Sequence, residues 1–442
     1  MVLRYNIFRI LFSLLLSFSA TYFLAAQEHG TTPQPAATEQ HHSESATVPS
    51  AEMHTEAAHD AGHAEGGHEE KPFSPGETAL HHISDANSFH IIGDVYFHLP
   101  CFLYAPNFGW TFISSTSKFE PQHHGYGTKA IDGYVLDEGS VKRVNDESFP
   151  KGTVDIGAFT NIIDTTGGKE KEISFVEYQG KKYQLDKKTT WDGGLMGGGT
   201  TSFYDFSITK NVFTMLLTFF VLFFFLYKAA RAYALRPNQA PSGVQGFIEP
   251  LIIFIRDEVA KPMIGPNYEK YMPYLLSAFF FILGLNLIGQ IPFFPGSANV
   301  TGNISITIVM AVITFLIVNF SGNKHYWEHI LWMPGVPSVL KILILTPVEI
   351  LGVFLKPFTL LLRLFANITA GHIVIISFVS LIFIFGEAGK SIGGSTVGAL
   401  ISVPLTLFMG AIELLVAFLQ AFIFTMLSAS YIGAAIEEPH HH

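Results

Sequence analysis

With 442 residues, a mean hydropathy of +0.34 and 41 Phe against only 14% charged residues, the chain reads as a membrane protein carrying a water-soluble part. Its formal charge of -10 arises mainly from acidic residues in the N-terminal half, so it indicates no nucleic-acid partner. The single cysteine, Cys101, excludes an internal disulfide framework.

Residues 1–26 read as a secretory signal: Arg4 and Arg9 form the basic start, and Ile10 to Ala25 is an apolar core followed by small residues. Phe23 and Leu24 fall where a cleavage site prefers a small residue, so a removed peptide and an uncleaved anchor are both compatible. In either form the next segment is exported. Residues 27–75 are rich in Ala, Glu, Thr, Gly and His without apolar periodicity, the composition of a disordered segment. The nine histidines from His29 to His82 have irregular spacing, compatible with loose metal scavenging or with a solvated tail. No metal or other cofactor is expected for the protein as a whole. The terminal His440, His441 and His442 are too short to interpret.

Residues 76–200 form an expected exported β-rich domain. Val95 to Leu99, Lys129 to Leu136, Ile173 to Tyr178 and Lys182 to Leu185 are short β-type runs separated by Gly, Asp and Asn turns. No nucleophile elbow, phosphate loop or close metal-ligand set accompanies them, so docking is expected rather than catalysis. The run from Gly193 to Gly199 serves as a flexible joint.

Residues 201–436 are the membrane domain, and 437–442 a tail. A span needs about 20 apolar residues. Lys210 to Tyr233 qualifies, and Lys228, Arg231 and Arg236 behind it place its C-terminal end in the cytoplasm. Gly243 to Val259 is amphipathic, with Phe247, Leu251, Phe254 and Ile255 apolar, and is expected to lie at the cytoplasmic interface. Tyr271 to Phe294 and Asn303 to Phe320 are the second and third spans. Val339 to Phe385 and Thr396 to Ile436 each exceed one crossing, so they tilt, bend or begin along the surface. The result is an all-α polytopic protein of five spans, the last two a long tilted hairpin, with a periplasmic N-terminal region and a cytoplasmic C-terminus in a bacterial inner membrane.

Within that hairpin, Arg363 sits in the apolar stretch LLLRLFANITAGH, Leu360 to His372. An Arg at the bilayer centre costs from about 3 to more than 10 kcal/mol, so such residues face protein or water and mark ion paths. Snorkelling to a helix end is the plainer explanation. Glu349, Lys356 and Arg363, spaced by seven, share one helical stripe that Asn367 continues. With Ser391 as the hairpin tip, Arg363 lies 28 residues before it and Gln420 29 after, while His372 lies 19 before and Glu413 22 after. Antiparallel packing therefore sets Gln420 near the depth of Arg363 and Glu413 near that of His372. The nine residues from Arg363 to His372 turn about half a revolution, which separates two access routes. A mutually satisfied buried polar pair without a transport role is the alternative for His372 and Glu413.

RLFANITAGH at Arg363 to His372, PVEILGVFLKP at Pro347 to Pro357 and ELLVAFLQAFIFTML at Glu413 to Leu427 resemble the signature stretches of the a subunit of the rotary F-type ATP synthase. SFYDFSITKNVF before the first span and LGLNLIGQIPFF in the second extend the resemblance, which covers about Ser202 to Ile436. It implies a proton-channel subunit of the stator, not catalytic on its own. Arg363 would face the c-ring, Gln420 and Asn367 would support it, His372 and Glu413 would line the outside half-channel, and Glu349 the cytoplasmic one. Implied partners are c-ring subunits, the b subunits of the peripheral stalk, the F1 part indirectly and membrane lipid. Ala366 stands where many members have Gly, and some bacterial members carry the His and Glu in reverse order. The region before Ser202 resembles an extension in some Bacteroidetes-like proteins. Two other classes fit parts of the chain: a proton-coupled secondary transporter, against which stands the lack of an internal repeat, and a membrane-anchored His-rich metal-binding protein.

Overall fold

The computed structural model describes residues 84–92, 95–122, 125–164, 171–189, 201–236, 239–291, 294–296, 298–332, 338–387 and 390–437. The expected signal peptide at 1–26, the His-rich segment at 27–75, the glycine run at 193–199 and the terminal histidines lie outside the described residues.

The N-terminal part is antiparallel throughout. Strands β1 (Ser88–Ile92) and β2 (Val95–His98) make a hairpin, followed by β3 (Cys101–Ala105) and β4 (Gly109–Ile113). A small ladder of β5 (Pro121–Gln122) and β6 (Tyr126–Gly127) leads into β7 (Lys129–Ile131), β8 (Tyr134–Asp137), β9 (Ser140–Val144), β10 (Thr153–Asp155), β11 (Phe159–Asp164), β12 (Lys171–Tyr178) and β13 (Lys181–Asp186). These last seven form one sheet in the order β10-β7-β8-β9-β13-β12-β11, while β14 (Tyr204–Asp205) pairs with β3. Alternation of side chains packs Leu103, Ile113, Phe119, Tyr134, Leu136 and Phe203 into one core and Val135, Val144, Val176 and Leu185 into a second.

The run Lys129 to Leu136, expected as one strand, is two. Asp132 and Gly133 have φ of 51° and 80°, both in the left-handed region, which makes a tight two-residue turn between β7 and β8. Gln179 and Gly180, at 52° and 76°, turn β12 into β13 by the same chemistry.

Five helical stretches are long and apolar enough to cross a membrane: Lys210–Leu235, Val244–Gly289, Ile304–Ser321, Lys341–Phe385 and Ile392–Ile436. In lipid a helix satisfies its own backbone groups, which is why apolar runs of this length take that form. Helix α1 (Lys210–Leu235) starts at Thr209, whose hydroxyl accepts from Val212 N, and α2 (Val244–Phe254) leads through the wide turn Ile255–Ala260 toward α3 (Tyr268–Gly289). Helix α4 (Ile304–Ser321) is capped by Asn303, whose Oδ1 accepts from Ser305 N at 3.0 Å, and α5 (Lys324–Leu331) is short. The hairpin consists of α6 (Thr346–Phe385) and α7 (Ile392–Ile436), which begins at Ser391, whose Oγ accepts from Gly394 N at 3.1 Å.

Helix α3 is the centre of the membrane domain, with Leu275, Phe279 and Ile282 fully buried. It ends at Gly289 rather than running to Phe294 as expected, because the prolines at 292 and 295 lack the N–H that another turn requires. Helix α2 buries a wider face than its amphipathic pattern suggested, with one exception. Phe247 is 71% exposed, whereas Ile248, Ile252, Ile255 and Val259 are buried at helical spacing and join the main core. Of the expected apolar face, Ile255 is in that core and Leu251 and Phe254 pack against it, so Phe247 alone is left outside.

Close approach between backbones sets the end of the hairpin. A Cβ on Gly433 would lie 1.9 Å from Met263 O, a contact that backbone cannot relieve by a rotamer change. Gly433→Ala is therefore expected to cost at least about 1–3 kcal/mol, read as reduced recovery of the folded protein in detergent extracts. Unchanged recovery and thermal stability would show that this crossing is looser than described. The last carbonyls of α7 are capped from outside: Asn323 N donates to Ala435 O at 2.9 Å and Asn323 Nδ2 to Ile436 O at 2.7 Å.

Candidate functional site

The antiparallel hairpin brings His372 and Glu413 together, with Nδ1 to Oε1 at 3.3 Å. Glu413 is 5% exposed, and its Oε1 lacks an aligned hydrogen-bond donor among the described residues. Gly371 leaves room for that carboxylate: a Cβ there would stand 3.1 Å from Glu413 Oε1. Helix α7 is held at this level from α3, since Gln290 Nε2 donates to Glu413 O at 2.8 Å and Asn286 Nδ2 to Ala417 O at 3.2 Å. Thr301 Oγ1 in turn donates to Asn286 Oδ1 at 2.7 Å.

Arg363 occupies the same helix as His372, nine residues earlier and so on the opposite side of a continuous α6. It is half-buried and makes no hydrogen bond or ion pair with the described residues. Gln420 is buried at 6% exposure, and no direct bond joins it to Arg363. Asn367, one turn after Arg363, is exposed, and Glu349 is half-buried at the start of α6. The stripe from Glu349 through Lys356 to Arg363 and Asn367 lies on a single helix, as its spacing requires.

Around that stripe the hairpin surface is apolar and uncovered. Leu351, Phe354, Phe358 and Leu362 on α6, and Leu400, Leu407, Leu414 and Leu415 on α7, are all exposed. The apolar stretches of Lys341–Phe385 and Ile392–Ile436 are mostly exposed, whereas that of Val244–Gly289 is mostly buried. The hairpin is therefore the outer layer, and α3 the element it packs on.

A family model described as ATP synthase A chain matches residues 212–433, half of the chain. This chain belongs to the ATP synthase A chain family. It is similar to ATP synthase subunit a 2 of Chlorobaculum tepidum, 46% identical over 238 residues that make up 52% of this chain and 64% of that protein. It is also similar to ATP synthase subunit a of Chloroherpeton thalassium, 43% identical over 241 residues, 54% of this chain and 69% of that one. The similarity thus spans about two thirds of these relatives' own length. A second family model, described as a domain of unknown function, matches residues 78–165. As a member of this family with five helices long enough to cross, the protein is a multi-pass membrane protein.

Several polar residues of this family member escaped sequence reasoning. Asn286 and Gln290 are four apart in an apolar helix, hence on one face, and that spacing was the available signal. Tyr431 and Tyr326 gave none, because a lone tyrosine in a helix carries no pattern that marks it. Lys356 Nζ lies 5.6 Å from the Tyr431 ring and 6.0 Å from the Tyr326 ring, so a cation of α6 meets aromatic rings from α7 and α5. These three residues line one small cleft together with Asn319, Val353 and Leu360.

Proposed function

We propose that the chain is the proton-channel subunit of the stator of an F-type ATP synthase. It is not catalytic by itself; it provides two half-channels and an Arg that faces a rotating ring of c subunits. The observation that carries this reading is Arg363, a permanent cation in a membrane helix with no hydrogen-bond or ion-pair partner among the described residues and an uncovered apolar face around it. Such a charge wants a carboxylate from another chain, and a smooth apolar surface suits a partner that must slide past it.

In this reading His372 and Glu413 line the route from the periplasm, with Asn286 and Gln290 of α3 fixing α7 at their level. Glu349 opens the cytoplasmic route. Gln420 and Asn367 support Arg363. The guanidinium favours the ionised state of an approaching ring carboxylate and, by its fixed charge, blocks direct passage of protons between the two routes. Protons then cross only by riding the ring, each releasing about 2.3 kcal/mol per 100 mV. The N-terminal β domain lies on the periplasmic side and the C-terminus in the cytoplasm, consistent with Lys228, Arg231 and Arg236 after α1. Stalk b subunits and, through them, F1 complete the assembly.

Purification from native membranes in mild detergent tests the assignment. The expected result is co-migration with a small ring-forming subunit, stalk subunits and an ATP-hydrolysing part. Recovery as a lone protein under conditions that preserve other membrane complexes would overturn it.

A further inference from the structure

Helix α1 is longer than the hydrocarbon it crosses. Its 26 residues rise about 39 Å, whereas about 20 residues cover the apolar core, so counted from Lys210 the lipid interior ends near Ala229. At that boundary stand Lys228, Arg231 and Leu235, spaced by three and four and hence on one face, and Arg236 closes the helix. The same face continues back into the bilayer through Phe224 and Phe220, both exposed. Opposite it lies the start of α2. Between the two is a pocket of about 330 Å³, lined in part by Lys228, Arg231, Arg236, Ser242, Val244 and Gln245.

Three cations line this pocket and no acidic residue does; Glu249, four residues after Gln245, is not part of its wall. Lys228, Arg231 and Arg236 form no ion pair among the described residues. Lys228 Nζ lies 4.2 Å from the centroid of the Phe224 ring, and Arg236 Nη1 donates to Ser242 Oγ. Like charges gathered round one cavity repel each other, and a bound anion relieves that cost. Helix α2 begins at Gly243 without a side-chain cap, so its first N–H groups add neutral donors at the pocket's edge. The apolar approach narrows the choice of anion. Phe220 and Phe224 lead from the bilayer to Lys228, and Phe247, three residues after Val244 and so on the same side of α2, is the apolar residue that the protein core leaves outside. A free phosphate makes no use of those rings, whereas a phospholipid brings a phosphodiester to the cations and acyl chains to the rings.

We propose that the pocket between the end of α1 and the start of α2 is a binding site for the headgroup of an anionic phospholipid. Arg231 and Arg236 hold the phosphodiester through their planar donors, Lys228 adds a point charge, and Ser242 and the α2 N–H groups complete the donor set. The acyl chains run along Phe224 and Phe220, and the bound lipid ties the two helices together at the membrane surface. A zwitterionic lipid is disfavoured, because its ammonium meets three cations. The site requires only that α1 crosses a bilayer, so it stands apart from the channel reading.

The test titrates the intact complex, purified in mild detergent, with phosphatidylglycerol, with phosphatidylcholine and with inorganic phosphate, and counts bound lipid after gel filtration. Wild type is compared with the double variant Arg231→Gln, Arg236→Gln, so lipid sites on other subunits contribute equally to both. Each cation removed at a membrane surface weakens anionic-lipid binding about fivefold, so the phosphatidylglycerol midpoint is expected on the order of twentyfold higher in the variant. Phosphatidylcholine binding should be the same in both. Equal phosphatidylglycerol midpoints at equal complex recovery overturn the proposal. Displacement of the lipid by inorganic phosphate overturns it as well, since the site would then take a free anion. Loss of other subunits from the variant with lipid binding unchanged also overturns it, in favour of an acidic segment of a neighbouring chain. Should the double variant fail to assemble, a photoreactive phosphatidylglycerol in phosphatidylcholine vesicles carrying the wild-type complex decides. Cross-links to the end of α1 or the start of α2 support the site, and cross-links of this chain confined to other elements overturn it.

Discussion

Arg363→Gln is expected to abolish proton-driven ATP synthesis while leaving ATP hydrolysis by the detached catalytic part intact. The size of the effect follows from electrostatics. A cation about 4 Å from a carboxylate near a protein surface contributes roughly 4 kcal/mol, or about 3 pKa units in favour of the ionised acid. Without it a ring carboxylate entering from lipid stays protonated, and no fixed charge separates the two routes. Arg363 has no hydrogen-bond or ion-pair partner among the described residues, so its removal leaves no orphaned carboxylate on this chain and folding should survive. Arg363→Lys is expected to fail as well, since an ammonium lacks the planar reach and weak hydration of guanidinium. The measurement is synthesis in vesicles under an imposed gradient, with complex recovery checked alongside. Coupled synthesis by Arg363→Gln above the background of a complex lacking the subunit would refute the role.

The second large effect is expected at His372 and Glu413. Each single Ala variant should severely reduce ATP-driven proton pumping, and the double variant should be little worse than the poorer single one. Their separation of 3.3 Å makes them one unit, and contacting groups show coupling energies on the order of 0.5–3 kcal/mol. Gln290 and Asn286 hold the backbone of α7 from α3 by bonds to carbonyls, so these side-chain changes leave the helix anchored. Exchanging the two residues should retain part of the activity, because an acid and an imidazole would still face each other across the hairpin. Losses that add fully, or an exchange as inactive as the double Ala variant, would count against a shared task.

Much of the hairpin was legible by counting. Ser391 caps α7, and positions measured from it place His372 against Glu413 because two helices rise at the same rate on either side of a turn. The same arithmetic set Gln420 near the depth of Arg363, yet the two are not bonded: equal depth says nothing about rotation about the axes. Long apolar runs announced the five crossings because lipid offers the backbone no other hydrogen-bond partner. In the β domain the composition announced strands but not their breaks, and Asp132 with Gly133 turned one expected strand into two by adopting positive φ.

By itself the sequence determined what each segment must satisfy locally: which runs are helical, which residues share a face, and which charges lie at membrane depth. Only the tertiary structure decided which face meets which neighbour. Phe247 is left outside while Ile248 and Ile252 go in. Gln290 finds the backbone of Glu413 across 123 positions, and Asp85 finds the backbone of Asn211 across 126. The physical reason is that helical and strand periods arise from the dihedrals of adjacent residues, whereas partners this distant are selected by close packing and by the cost of leaving buried polar groups unmet.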